Sequence, residues 1–152
     1  MEKVDPDDLE NRARAGTITK HLSDPLALSD MALNYYELAP GDGFSDGLHT
    51  HMNQEEVFYV IEGTATFETV DCEHTVEAGE AVRFAPGEYQ TGRNEGDERI
   101  RALAFGAPQE MGEGRIKRAC EACGDADYHF VTGMEDGQFV LECPECGNET
   151  TR

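Results

Sequence analysis

The chain has 152 residues, with 12 Lys and Arg against 32 Asp and Glu, for a net charge of −20. That length suits one ordinary domain with a small appendage, and the charge disfavours a nucleic-acid backbone as partner. The longest unbroken apolar run, VFYVI at 57–61, is far short of a membrane span.

The acidic residues are not gathered in one tail. They interleave with apolar runs along the whole chain, as on the solvated surface of a folded protein. Self-repulsion on this scale weakens a compact state at ordinary salt, but concentrated salt screens it to within about 3 Å. The expectation is a halophilic, archaeal, cytoplasmic protein; folding that did not depend on salt would contradict it. The opening MEKVDPDDLE has no apolar core of signal-peptide length.

In chain order, DPDDLENRARAG reads as a short helix within an N-terminal extension over 1–16. Asp5 caps it, Pro6 sits in the first turn, Asp7 and Asp8 face the positive end of the dipole, Arg12 and Arg14 lie near the other end, and Gly16 terminates it. MALNYYELAPGDGF is strand-like up to its Pro-Gly break. Short strands follow around 48–51, 56–62, 64–70, 73–77, 81–84 and 99–105, with turn signals between them. Many short strands at this spacing predict an all-β antiparallel sandwich or barrel over 17–108. Residues 109–115, rich in Gly and poor in apolar side chains, read as a linker to a separate segment over 116–152.

His49 and His51 are two apart, so in a strand they share a face with their imidazoles about 6–7 Å apart. With a carboxylate from a neighbouring strand they make a two-histidine, one-carboxylate set, which suits a transition metal with open positions. Glu56 opens the next strand on the face of Phe58 and Val60, and Glu55 falls on the opposite face. Gly43 precedes His49 by five intervening residues, four separate His51 from Glu56, and six separate Glu56 from Gly63. This pattern resembles the first motif of the cupins, and its spacing selects Glu56 over Glu55. GEAVRFAPGEYQTGRN resembles their second motif, with Gly79, Pro86, Gly87 and Asn94 in register. Two positions depart: Ala85 stands in place of a proline, and Gln90 stands in place of the third histidine. A glutamine carbonyl is a weak neutral ligand, so Gln90 is read either as a fourth ligand or as a hydrogen-bonding wall.

The resemblance covers about residues 30–106. It implies a cupin, or jelly-roll-like, β-barrel and a divalent ion (Fe, Mn, Zn, Ni or Cu) on His49, His51, Glu56 and Gln90. It also implies a small organic ligand or substrate and a homodimer. The motif glycines and Pro86 read as turn-formers. His21, His74 and His129 carry no pattern, and Cys72 reads as an inert thiol in a turn rather than a nucleophile.

Cys120 and Cys123 form one CxxC pair and Cys143 and Cys146 another, with 19 residues between. That spacing is a strong signature of a four-thiolate zinc site; redox pairs or two disulfides are the alternatives. Gly124 and Gly147 follow the pairs, and two strands joined at Glu135-Asp136-Gly137 lie between them. Knuckle, hairpin, knuckle resembles a zinc ribbon, with the zinc structural because four thiolates leave no open position. From residue 115 onward four basic residues face eight acidic ones. This favours a stabilising role or a protein partner for the ribbon over nucleic acid.

Two functions are open. In one, a metal-dependent enzyme acts on a small organic molecule, within a range that spans dioxygenases, isomerases, lyases and decarboxylases by resemblance. In the other, a non-catalytic module senses a metal or metabolite, and its ribbon contacts a protein or nucleic-acid partner. A scaffold with an empty barrel is the third reading, and no catalytic residue is singled out.

Overall fold

The computed structural model describes residues 1–11, 17–135 and 138–152. Thirteen strands are described: β1 (Ile18–His21), β2 (Ala32–Leu38), β3 (His49–His51), β4 (Glu55–Glu62), β5 (Thr64–Thr69), β6 (Glu73–Glu77), β7 (Ala81–Phe84), β8 (Gln90–Arg93), β9 (Ile100–Ala107), β10 (Gly114–Lys117), β11 (Tyr128–Glu135), β12 (Gln138–Glu142) and β13 (Glu149–Thr151). They form two antiparallel sheets. One runs β1-β2-β9-β4-β7; the other runs β13-β12-β11-β10-β3-β8-β5-β6.

The core lies between the sheets. Leu38, Phe58, Val60, Phe84, Ile100, Ala102 and Ala104 come from the first, and Ala65, Phe67 and Val76 from the second. These are the inward positions of period-two strands. On β4, Phe58 and Val60 are buried and Tyr59 and Ile61 exposed; on β9, Ala102 and Ala104 are buried and Arg101 exposed. Phe44, Phe58 and Phe67 pack ring on ring at centroid distances of 4.9–5.4 Å. Gly92 makes this possible, because a Cβ there would sit 2.4 Å from the Phe67 ring and 2.8 Å from Phe44.

The expected N-terminal helix is a correction. Among the described residues only Pro6–Asp8 form a helical turn, of the 3-10 type. Asp5 does cap it, accepting from the Asp7 amide at 3.1 Å, but Leu9 is already extended. So short a segment, acidic at Asp7, Asp8 and Glu10, has neither the length nor an apolar face to hold a helix. Arg12, Arg14 and Gly16 lie outside the described residues.

The strands read from the sequence between 48 and 105 match β3 to β7 and β9, with breaks at the expected turns. The sequence reading omits β1, β8, β10 and β13. β8 is Gln-Thr-Gly-Arg, too short and polar to show a period. β10 begins at Gly114, inside the stretch read as linker, and pairs with β3 on one side and β11 on the other. The sheet therefore runs without interruption from the barrel into the four-cysteine segment. Asp136 and Gly137 of the expected hairpin turn lie outside the described residues, but β11 and β12 pair on either side of them.

Candidate metal centres

His49 and His51 both point inward from β3, and their ring centroids are 5.2 Å apart. Glu56 reaches them from the opposite sheet: on β4 it pairs with Phe84 of β7 and Gly106 of β9. One ligand atom from each of His49, His51 and Glu56 lies within 4.8 Å of the others, close enough to share one ion. His51 Nε2 is 3.7 Å from Glu56 Oε2. Glu55 faces outward and pairs with Arg83 at 2.6 Å, as alternation predicts.

Gln90 is the direct cross-strand neighbour of His49. It is 2% exposed. Its Nε2 donates to Glu56 Oε2 at 2.8 Å and lies 3.3 Å from His49 Nε2. His49 Nδ1 lies 3.0 Å from the Gly47 carbonyl. A carbonyl can only accept, so Nδ1 carries the proton and the Nε2 lone pair faces Gln90 and the centre of the set. Gln90 thus bridges the carboxylate and one imidazole with its two N–H groups. Its Oε1 and His51 Nδ1 are buried without a partner.

The electrostatics favour a cation at this focus. Burial lowers the His49 imidazole below its ordinary value, against the pull of its contacts with Gly47 and Gln90. Burial, with His49 beside it, pushes His51 down to about 4. Burial raises Glu56, partly offset by the Gln90 amide. At neutral pH both imidazoles are neutral and offer lone pairs. The carboxylate is held beside neutral groups in a low dielectric, where a divalent ion would repay its desolvation. Neutral imidazoles, one carboxylate and an unpartnered amide oxygen fit a divalent transition metal.

This focus opens into a cavity of about 680 Å³. Phe44 and Phe58 line it beside His49, His51 and Glu56, and so does Tyr36, whose hydroxyl burial and then Glu56 push up to about 12. The sequence reading missed other parts of the lining: His21 from β1 and, from the four-cysteine segment, Val131, Met134, Phe139 and Arg152. No local signal marks them, because they reach the cavity only through the β3–β10–β11 pairing. His129 lies two strands from His49, in register through Ile116, and is 3% exposed with Nδ1 unpartnered. Cys72 is exposed in its turn, with Sγ 3.1 Å from Nε2 of the exposed His74.

Cys120, Cys123, Cys143 and Cys146 converge at the far end of the second sheet, with sulfurs within 4.8 Å of one another. Cys120 to Cys146 and Cys123 to Cys143 are each 3.8 Å. A tetrahedron with metal–sulfur bonds of about 2.3 Å has edges of about 3.8 Å, whereas a disulfide needs about 2.05 Å. All four cysteines are free, and the spacing of their sulfurs is that of a metal tetrahedron rather than of a disulfide. The two knuckles repeat one geometry. The amide of Gly124 donates to the Cys120 carbonyl at 2.8 Å and that of Gly147 to Cys143 at 3.0 Å, both glycines at positive φ, 75° and 69°. The backbone amide of Cys123 draws the Cys120 thiol down to about 6, while Cys146, against the pull of the Asn148 amide, is pushed up to about 12 by hydrogen bonds with Cys143, Cys123 and Cys120, so without a metal one sulfur of the cluster is favoured as thiolate over the others.

Residues 34–106 match the Cupin domain family. Among curated proteins none matches the chain. Solved structures with the same fold include a sugar phosphate isomerase of the cupin superfamily from Silicibacter pomeroyi. It is 22% identical with a TM-score of 0.66, over 99% of this chain and 92% of that one. A predicted oxalate decarboxylase from Thermotoga maritima is 21% identical with a TM-score of 0.58, over 70% and 98%. An oxalate oxidase in complex with glycolate is 17% identical with a TM-score of 0.57, over 72% and 60%. The fold is a cupin β-barrel. No helix among the described residues is long and apolar enough to cross a membrane.

Proposed function

We propose that this chain is a metal-dependent cupin that binds one divalent transition ion through His49, His51 and Glu56 and uses it on a small organic acid. The observation that carries the reading is the three donors within 4.8 Å at the head of a cavity. The names of the fold neighbours, two oxalate enzymes and a sugar phosphate isomerase, support an anionic head group in the substrate. When bound, the ion supplies Lewis acidity and binds oxygen donors of the substrate. The chain's residues do the rest. Gly47 fixes the His49 tautomer, Gln90 holds the Glu56 carboxylate toward the imidazoles, and Phe44 and Phe58 limit water around the set. The four cysteines hold a structural zinc, forming a zinc ribbon.

A second reading, a metal- or metabolite-sensing module, is favoured by Gln90. An amide already engaged by Glu56 stands where a third imidazole would strengthen metal binding. Metal content separates both readings from an empty barrel. Wild-type protein purified in high salt is expected to carry two ions per chain, and His49→Ala and His51→Ala one each, with zinc retained. One zinc in all three proteins would remove the barrel metal and the reading with it.

A further inference from the structure

We infer that the four-cysteine segment is part of the ligand site: its hairpin forms an apolar wall that takes the hydrocarbon body of a carboxylate whose head group sits at His49, His51 and Glu56. This deepens the proposed function and rests on the barrel metal.

The two regions share one cavity. The register explains how. His51 pairs with Gly114, and Gly114 pairs with Val131, so the three positions form one row across the sheet face that carries the metal-binding set. Gly114 contributes no side chain, and Val131 packs over it, with its Cβ and Cγ2 3.6 Å from where a Gly114 Cβ would stand, so the apolar surface begins two strand spacings, about 10 Å, from the imidazole. Past the irregularity between Val131 and Gly133, Met134 and Phe139 pair across the hairpin and also line the cavity. Met111 comes from the chain between β9 and β10.

On a chain of net charge −20, Met134 is 63% exposed and Met111 50%. Both also line the cavity that begins at His49, His51 and Glu56, so a ligand anchored there is the group placed to cover them. A divalent ion with Glu56 and two neutral imidazoles carries net positive charge, which selects an anionic head. Hydroxyl-rich ligand bodies would lose hydrogen bonds against Val131, Met134 and Phe139, whereas methylenes gain by burial there. The wall from β1 and β2, with Thr19, His21 and Asn34, is polar. The ligand is therefore two-sided: an amphiphilic carboxylate with its apolar edge on the hairpin. Arg152 at the rim is already tied to the Asp46 carbonyl, at 2.8 Å, and serves the wall rather than the head group.

The probe is a series of straight-chain monocarboxylates, acetate to octanoate. It is titrated into full-length, zinc-replete protein with Co(II) in the barrel, read by calorimetry and by the Co(II) visible spectrum. Affinity is expected to rise about three- to fourfold per methylene until the chain spans the wall. Met134→Gln, a neutral change at an exposed position, should flatten the rise for the longer chains. A flat series in wild type, or an unchanged slope in Met134→Gln, overturns the apolar wall while the acetate response keeps the metal reading intact. No Co(II) bound in a His49-dependent manner removes both.

Discussion

The two candidate metal clusters differ in every respect that decides what a site can do. The cysteine cluster is closed: four sulfurs of one kind, 3.8 Å apart in pairs, supplied by two short knuckles whose conformation is local. The barrel cluster is open and mixed. Its donors come from β3 and β4 on opposite sheets, the Gln90 amide lies against them, and it faces a cavity of about 680 Å³. A closed tetrahedral set converts metal affinity into folding energy; an open set keeps coordination positions for a ligand. On the proposed reading the protein separates holding itself together from handling a substrate. It then joins the two through β10, which pairs with the histidine strand on one side and the cysteine hairpin on the other.

The sharpest way to break this separation is Cys143→Ser at a position 1% exposed. Loss of the zinc removes on the order of 10 kcal/mol from a segment too small to fold alone. Hydrogen exchange and metal content should show residues beyond about 118 unprotected and zinc gone, with the β4–β9 core still protected. Full protection of the hairpin without zinc would show that the sheet, not the metal, holds it.

Gln90→His sharpens the comparison from the other side. An imidazole in place of a weak amide is expected to raise barrel affinity for Zn(II) or Ni(II) by tenfold or more, with the cysteine site unchanged. Competition against a chelator of known affinity measures it, and no gain would mean that the amide is not aimed at the ion.

Proton competition should also differ between the clusters. His49 and His51 have lowered values in the folded chain, His51 at about 4. Below about 6.5 the unfolded chain takes up protons that the folded chain refuses, so their stabilisation is present above that pH and lost as pH falls toward 4. Glu56, raised by burial, acts in the opposite sense, losing stability as pH rises through the carboxylate range. With two histidines against one carboxylate, the melting temperature of metal-free barrel should fall between pH 6.5 and 4. His51→Gln should flatten that fall, and identical profiles for the two proteins would contradict the assignment.

The smallest expected effect concerns the joint itself. Arg152 holds the Asp46 carbonyl, and the next residue, Gly47, fixes the His49 tautomer. Arg152→Ala removes one exposed hydrogen bond and is expected to weaken barrel metal binding two- to fivefold. The Co(II) spectrum should broaden as His49 loses its fixed orientation. An unchanged spectrum and affinity would confine Arg152 to the wall.

The glycine, histidine and cysteine spacings were legible in the chain because each reflects local geometry. Residues two apart in a strand share a face, so His49 and His51 had to point together and Glu55 had to part from Glu56. A CxxC turn aims two sulfurs the same way whatever surrounds it. The alternation on β4 and β9 likewise exposed the all-β class. The N-terminal helix was overread, because caps and dipole charges are local signals and a helix of that length needs a packed face to survive. β8 and β10 were invisible: short segments of Gly, Arg and polar residues become strands only when neighbouring strands offer them hydrogen bonds. Sequence by itself determined the two donor sets and the barrel class, since period and spacing are properties of the chain. Tertiary structure alone decided that Gln90 bridges Glu56 and His49, and that Val131, Met134 and Phe139 face the histidines' cavity. Those contacts depend on strand order, a long-range choice no local pattern encodes.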